Sequence, residues 1–231
     1  SSVPITGLGA ETLLGIDVRT TTRVLYGVGS AGGLFSIDPT SGAATRVALS
    51  TVPDAAATGF GVDFNPAPAT VPLRIVSNTA QNLRVSDVAA GTTVADTSLT
   101  RAADAFAIVA AGYTNSFTPN PTSTVLYGLD SAGDRLVAIT PPNNGAVRVI
   151  GRLGFDFSAS SSLEIAGPTT ALSVLSVGGV QGLYSVNLTT GAATLAGAIG
   201  TSDAIVGLAA PITATDPAAN STVFVVGYDA V

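Results

Sequence analysis

Apolar residues along this chain fall in short runs, broken by glycine, proline and polar pairs. The clearest case is Val24–Val47, VLYGVGSAGGLFSIDPTSGAATRV. Its alternation predicts two strands joined at Gly32-Gly33, a Pro39–Gly42 turn and a third strand, because glycine supplies the positive φ that tight hairpins need. With Thr12–Val18 ahead of it, the unit comprises strands at Thr12–Val18, Arg23–Gly29, Gly33–Asp38 and Ala43–Leu49. Four short strands in about 45 residues is the length of a propeller blade. A helical reading fails, since 26 Gly and 13 Pro interrupt β-branched runs.

The pattern recurs. A second unit has strands at Thr58–Phe64, Pro72–Asn78, Asn82–Asp87 and Thr92–Thr97. A third has Ala107–Tyr113, Thr124–Asp130, Arg135–Thr140 and Ala146–Arg152. The insert GFDFSASSS precedes a fourth, with Ser162–Gly167, Ala171–Val177, Gly182–Leu188 and Ala192–Ile199. GLFSIDPTSGAAT at Gly33 nearly repeats as GLYSVNLTTGAAT at Gly182. Leu34, Leu83, Leu136 and Leu183 form one column, spaced 49, 53 and 47 residues apart. Gly15, Gly61, Ala110 and Gly207 form another, which Glu164 interrupts. Small residues suit innermost strands, where backbones crowd the axis.

A fifth unit has only Ala204–Ala210 and Thr222–Tyr228. Val3–Gly7 stands where the fourth strand of a preceding blade belongs. The expected fold is therefore all-β: a five-bladed β-propeller of four-stranded antiparallel blades, its last blade completed by both termini. The expectation is one domain, residues 1–231, with units at about 12–50, 58–98, 107–152, 162–200, and 204–229 plus 2–7. A β-sandwich is the alternative.

Composition narrows the chemistry. His, Cys, Met, Trp and Lys are absent, and every acidic residue is Asp except Glu11 and Glu164. Without Met, the sequence reads as a processed product or a piece of something longer. Charged residues make up 10% and the net charge is −6. That charge opposes nucleic acid or anionic membranes as partners. The longest apolar run, Ala105–Gly112, falls far short of the roughly 20 residues of a membrane span.

TLLGIDVR, LYGVGSAGGLFSIDPTSGAAT, FGVDFNP, LRIVSNTAQNLR, AAGYTNSF, LYGLD, PPNNG and GLYSVNLTTGAATLAGAIG run in order from Thr12 almost to Leu208. As a set they resemble a family of bacterial secreted propeller-like domains known only as a domain of unknown function. The resemblance implies export and a β-propeller. It supplies no reaction, cofactor or catalytic residue.

Serine and cysteine triads need residues this chain lacks. Paired carboxylates remain. Asp17, Asp63 and Asp156 follow apolar runs and would converge near the axis, although turn-capping is the favoured role. Asp130 and Asp134 bracket a tight loop with calcium-type oxygens, but a hairpin turn fits the spacing better. Gly27–Gly33 lacks the helix and lysine of a phosphate cradle. Asn78, Gln81, Asn82, Tyr113 and Asn115 form the candidate ligand site, with amides and a phenol suited to a sugar or peptide; structural bonding between blades is the competing role. Asn187 and Asn220 fit glycosylation sequons, Asn187 in the turn column of Asp38.

The expected function is a non-catalytic extracellular structural or interaction protein, without metal or cofactor. Copies of itself are candidate partners, through Val3–Gly7 and Thr222–Tyr228. A glycan-binding or small-ligand module is one alternative, and a carboxylate enzyme acting on saccharides another. With no His, stability is expected to be nearly flat from about pH 6 to 8.

Overall fold

The computed structural model describes residues 2–102, 104–117, 121–158, 162–165, 170–200, 203–210 and 224–228. Alternating strands and glycine turns build β1 (Leu13–Val18), β2 (Leu25–Gly29), β3 (Gly33–Ile37) and β4 (Ala44–Ala48), hydrogen-bonded in that order. The second sheet holds β5 (Phe60–Phe64), β6 (Leu73–Ser77), β7 (Asn82–Asp87) and β8 (Thr92–Ala95). The third holds β9 (Ile108–Tyr113), β10 (Leu126–Asp130), β11 (Arg135–Ile139) and β12 (Val147–Arg152). The fourth holds β13 (Thr170–Val177), β14 (Val180–Asn187) and β15 (Ala193–Ala198). Residues 162–165 lie on its inner side, joined by a bridge between Glu164 and Leu172. β16 (Ala204–Ala209) pairs with β17 (Phe224–Tyr228).

These four blades of antiparallel strands make an all-β propeller, not a sandwich. β1 packs on β5, and β5 on β9; β16 lies against both β13 and β1, bringing the last sheet to the first. Crowding explains the small-residue column. A Cβ on Gly61 would collide with the backbone of Ala111, and one on Gly207 would come within 2.8 Å of Ile16.

Apolar cores fill the spaces between sheets. Val28, Leu34, Phe64 and Leu83 share the core between the first and second blades. Val76, Ile108 and Val137 share the next. Leu129, Leu136, Leu175 and Tyr184 share the third. Val174 meets Ile205 and Leu208, and Phe35 and Ile16 meet Ala209 and Val226.

Register corrects the leucine column. Leu34 pairs with Val28, and Leu136 with Leu129, each facing the next blade. In the second blade Asn82 pairs with Val76 on that face. Leu83, one residue on, faces the preceding blade, as Phe35, Val137 and Tyr184 do in their own blades. The fourth member, Leu183, is only half-buried.

Val3–Gly7 forms no strand. Within it, the Thr6 N–H donates to Gly42 O at 2.9 Å, and Thr6 O accepts from Ala44 N–H at 2.9 Å. This parallel bridge beside β4 repeats at Thr100 beside β12. Residues 2–7 thus occupy the place of a linker entering a blade. Among the described residues, β17 pairs with β16 alone; residues 222 and 223 of the expected strand lie outside them.

Candidate functional site

The innermost strands carry acids between apolar neighbours: Ile16-Asp17-Val18 on β1, Val62-Asp63-Phe64 on β5 and Leu163-Glu164-Ile165 beside β13. Alternation sends the acid inward. Asp17 is 7% exposed, Asp63 3% and Glu164 4%. One oxygen from each lies within 4.8 Å of those from the other two.

The carboxylates also link neighbouring sheets. Asp17 Oδ2 accepts from Phe64 N–H at 2.7 Å, while its Oδ1 takes its neighbour Val18 N–H at 2.6 Å. Asp63 Oδ1 accepts from Tyr113 N–H at 3.0 Å. Glu164 Oε2 accepts from Ala210 N–H at 3.2 Å. In each case an acid on one inner strand bonds the corresponding amide of a neighbouring inner strand.

Burial penalises the charged form of all three acids. It pushes Asp17 up to about 7, against the pull of the Phe64 and Val18 amides. Burial raises Asp63 well above the carboxylate range, with repulsion from Asp17 and Glu164 adding to it. Glu164 is raised in the same way, by burial first and Asp17 second. With Asp17 raised to about 7, stability is expected to slope between about pH 6 and 8 although the chain has no histidine.

Sequence spacing found Asp17 and Asp63 but missed their partner. Asp156 is exposed in the linker after β12. Glu164 takes the third position; its flanking Leu163 and Ile165 repeat the apolar-acid-apolar signal. Beside the cluster, Gly15, Gly61, Ala110, Ser162 and Gly207 line a narrow cavity with room for about one water molecule. The Ser162 Oγ is buried and has no hydrogen-bond partner among the described residues.

The amide-rich candidates are dispersed. Asn78 holds Thr58 through both side-chain atoms, at 3.1 and 2.9 Å. Gln81 bonds Asp54 N–H at 2.9 Å and Val52 O at 3.2 Å. Asn115 donates to Ser123 O at 2.8 Å. Asn82 and Tyr113 come together at Arg74, which is 2% exposed. Arg74 donates to Asn82 Oδ1 at 2.8 Å, Asp96 at 2.7 Å, Asn143 Oδ1 at 2.6 Å and Tyr113 Oη at 3.3 Å. Asn82 Nδ2 reaches Pro142 O of the third blade at 2.9 Å. This network joins the second and third blades.

The other motifs serve turns. Asp130 Oδ1 accepts from Ala107 N–H at 2.8 Å, and its Oδ2 pairs with Arg135 at 2.9 Å. Asp134 accepts from Phe157 N–H at 3.1 Å. In the Gly27–Gly33 stretch, Glu11 accepts from the N–H groups of Ala31 and Gly33, both at 2.9 Å. Asn187 Oδ1 caps Thr189 N–H at 2.9 Å, as Asp38 Oδ1 caps Thr40 N–H at 2.8 Å. Asn220 lies outside the described residues.

Among solved structures, the fold is similar to the WD40 repeats of RRP9, with a TM-score of 0.51 at 9% identity over 92% of this chain and 76% of that one. U3-55K gives a TM-score of 0.49 at 14% identity over 88% of this chain. A protein of unknown function from Bacteroides caccae gives 0.45 at 10% identity over 81%. The chain spans 58% of the U3-55K structure and 62% of the Bacteroides one. At such identities the RRP9 likeness concerns the fold alone. No curated protein matches the sequence. The model of one family, described as "Domain of unknown function (DUF4394)", matches residues 1–209, and the chain belongs to that family.

Proposed function

We propose that this chain is a non-catalytic structural or interaction module working outside the cell. In this reading it is a five-bladed ring whose fifth blade begins with β16 and β17. The observation that carries the reading is the enclosure of the acids. Asp17, Asp63 and Glu164 are each less than a tenth exposed, and the cavity lined by the neighbouring Gly15, Gly61 and Ser162 is of water size. A saccharide ring flanked by two catalytic carboxyls needs far more room. The dispersal of Asn78, Gln81, Asn82, Tyr113 and Asn115 into internal bonds points the same way. Export rests on the resemblance of the ordered motifs to secreted domains.

Self-association is the interaction favoured here. β17 belongs to the stretch VFVVGY, which is apolar and β-prone, and such edges recruit strands. Light scattering on the purified chain, with and without residues 1–7, tests this. The expected result is a mass above the 22.7 kDa of one chain that rises with concentration, and a return to one chain after the deletion. A single-chain mass throughout, with saturable binding on a glycan array, would replace this reading with the glycan-binding one.

A further inference from the structure

We propose that Asp17, Asp63 and Glu164, with the Ser162 hydroxyl, hold one calcium ion on the propeller axis. Three acids from three blades bring oxygens within 4.8 Å of one another. Calcium, at about 2.3–2.6 Å from its oxygens, accepts flexible all-protein shells, whereas magnesium demands near-ideal octahedral geometry and keeps several waters, for which the water-sized cavity leaves little room. The donor set is all oxygen, which disfavours zinc and copper.

Two features mark the cluster as a place for a cation. Among the described residues each carboxylate spends one or two acceptor positions on backbone N–H groups, fewer than its lone pairs can take. The charges acting on Asp63 are the other two acids, with no compensating arginine. Independently, Ser162 is 8% exposed, its Oγ has no partner among the described residues, and it lines the axial cavity. It stands two residues before Glu164, hence on the same inward face of the extended segment. A buried hydroxyl without a partner is uncommon in native proteins. An ion at the cluster, with cavity water completing its shell, would give the hydroxyl a partner, directly or through that water.

The test uses the full chain, stripped with chelator and dialysed. Calorimetric titration with calcium chloride should show one saturable site per chain and a melting temperature that rises with calcium. In Asp63→Asn/Glu164→Gln that site should disappear, and Ser162→Ala should weaken binding several-fold. Asp134→Asn, in the β10–β11 turn, should bind as the parent does. If the double variant fails to fold, the parent's stoichiometry and the Ser162→Ala titration decide alone. The proposal is overturned if the parent takes up no calcium at millimolar concentration, which would mean that protons alone occupy the cluster. Unchanged binding in the variants, marking a surface site, or tighter binding of magnesium would also overturn it.

Discussion

Asn82 stands where Leu34 and Leu136 stand in neighbouring repeats, and the exchange governs one interface. The amide accepts from Arg74 and donates to Thr97 and Pro142 carbonyls at 2.9 Å. Asn82→Ala should cost about 1–3 kcal/mol, since buried polar partners lose their bonds. Arg74→Ala should cost about 1–3 kcal/mol, because Asn82, Asn143 and Tyr113 lose their donor while Asp96 keeps Arg84. Combined, they should fall short of the sum, as expected for a shared network; urea unfolding measures all three. Leu136→Ala should cost about 2–5 kcal/mol, and Leu183→Ala less, because Leu183 is half-buried. Two limbs are expected in stability against pH. Burial raises the Asp96 carboxyl, but Arg84 and Arg74 outweigh it and hold the group below its ordinary value. Its contribution is therefore present above the unfolded pKa near 4 and lost as pH falls below it. Asp17 has the opposite sign. Its stabilising contribution is complete below about 4 and is lost as pH rises through about 7. Chelator-stripped protein should accordingly melt lower at pH 8 than at pH 5.5 in thermal scans.

At the level of strands, periodicity located most elements to within a residue or two. The expected Thr12–Val18 became Leu13–Val18, and Gly182–Leu188 lengthened to Val180–Asn187. Strand alternation alone allows a one-residue slip, which placed Leu83 in the wrong column. Two of the three axial acids were readable because Asp17 and Asp63 follow similar runs. Glu164 was set two residues away, since the insert after β12 breaks the spacing, and GFDF offered Asp156 as an imitation of GVDF. No local pattern in the sequence reports that Asn78 and Gln81 bond Thr58, Val52 and Asp54 of the linker ahead of β5. Val3–Gly7 resembled a strand in composition, but its described pairing is the single parallel bridge at Thr6. Thr6→Pro removes the N–H that bonds Gly42 and should cost about 1 kcal/mol, read as an earlier urea midpoint with an unchanged slope.

Across the whole molecule, acids at the axis and apolar cores between sheets support the same closed arrangement. Packing of β16 on β1 closes the sheets into a ring. Amide hydrogen exchange tests that closure. Val18, Phe64, Tyr113 and Ala210 all donate to axial carboxylates. A closed ring predicts that these amides exchange among the slowest in the chain and share one opening free energy. Fast exchange at Val18 and Ala210, with Phe64 and Tyr113 still protected, would show an open row of blades and contradict the account.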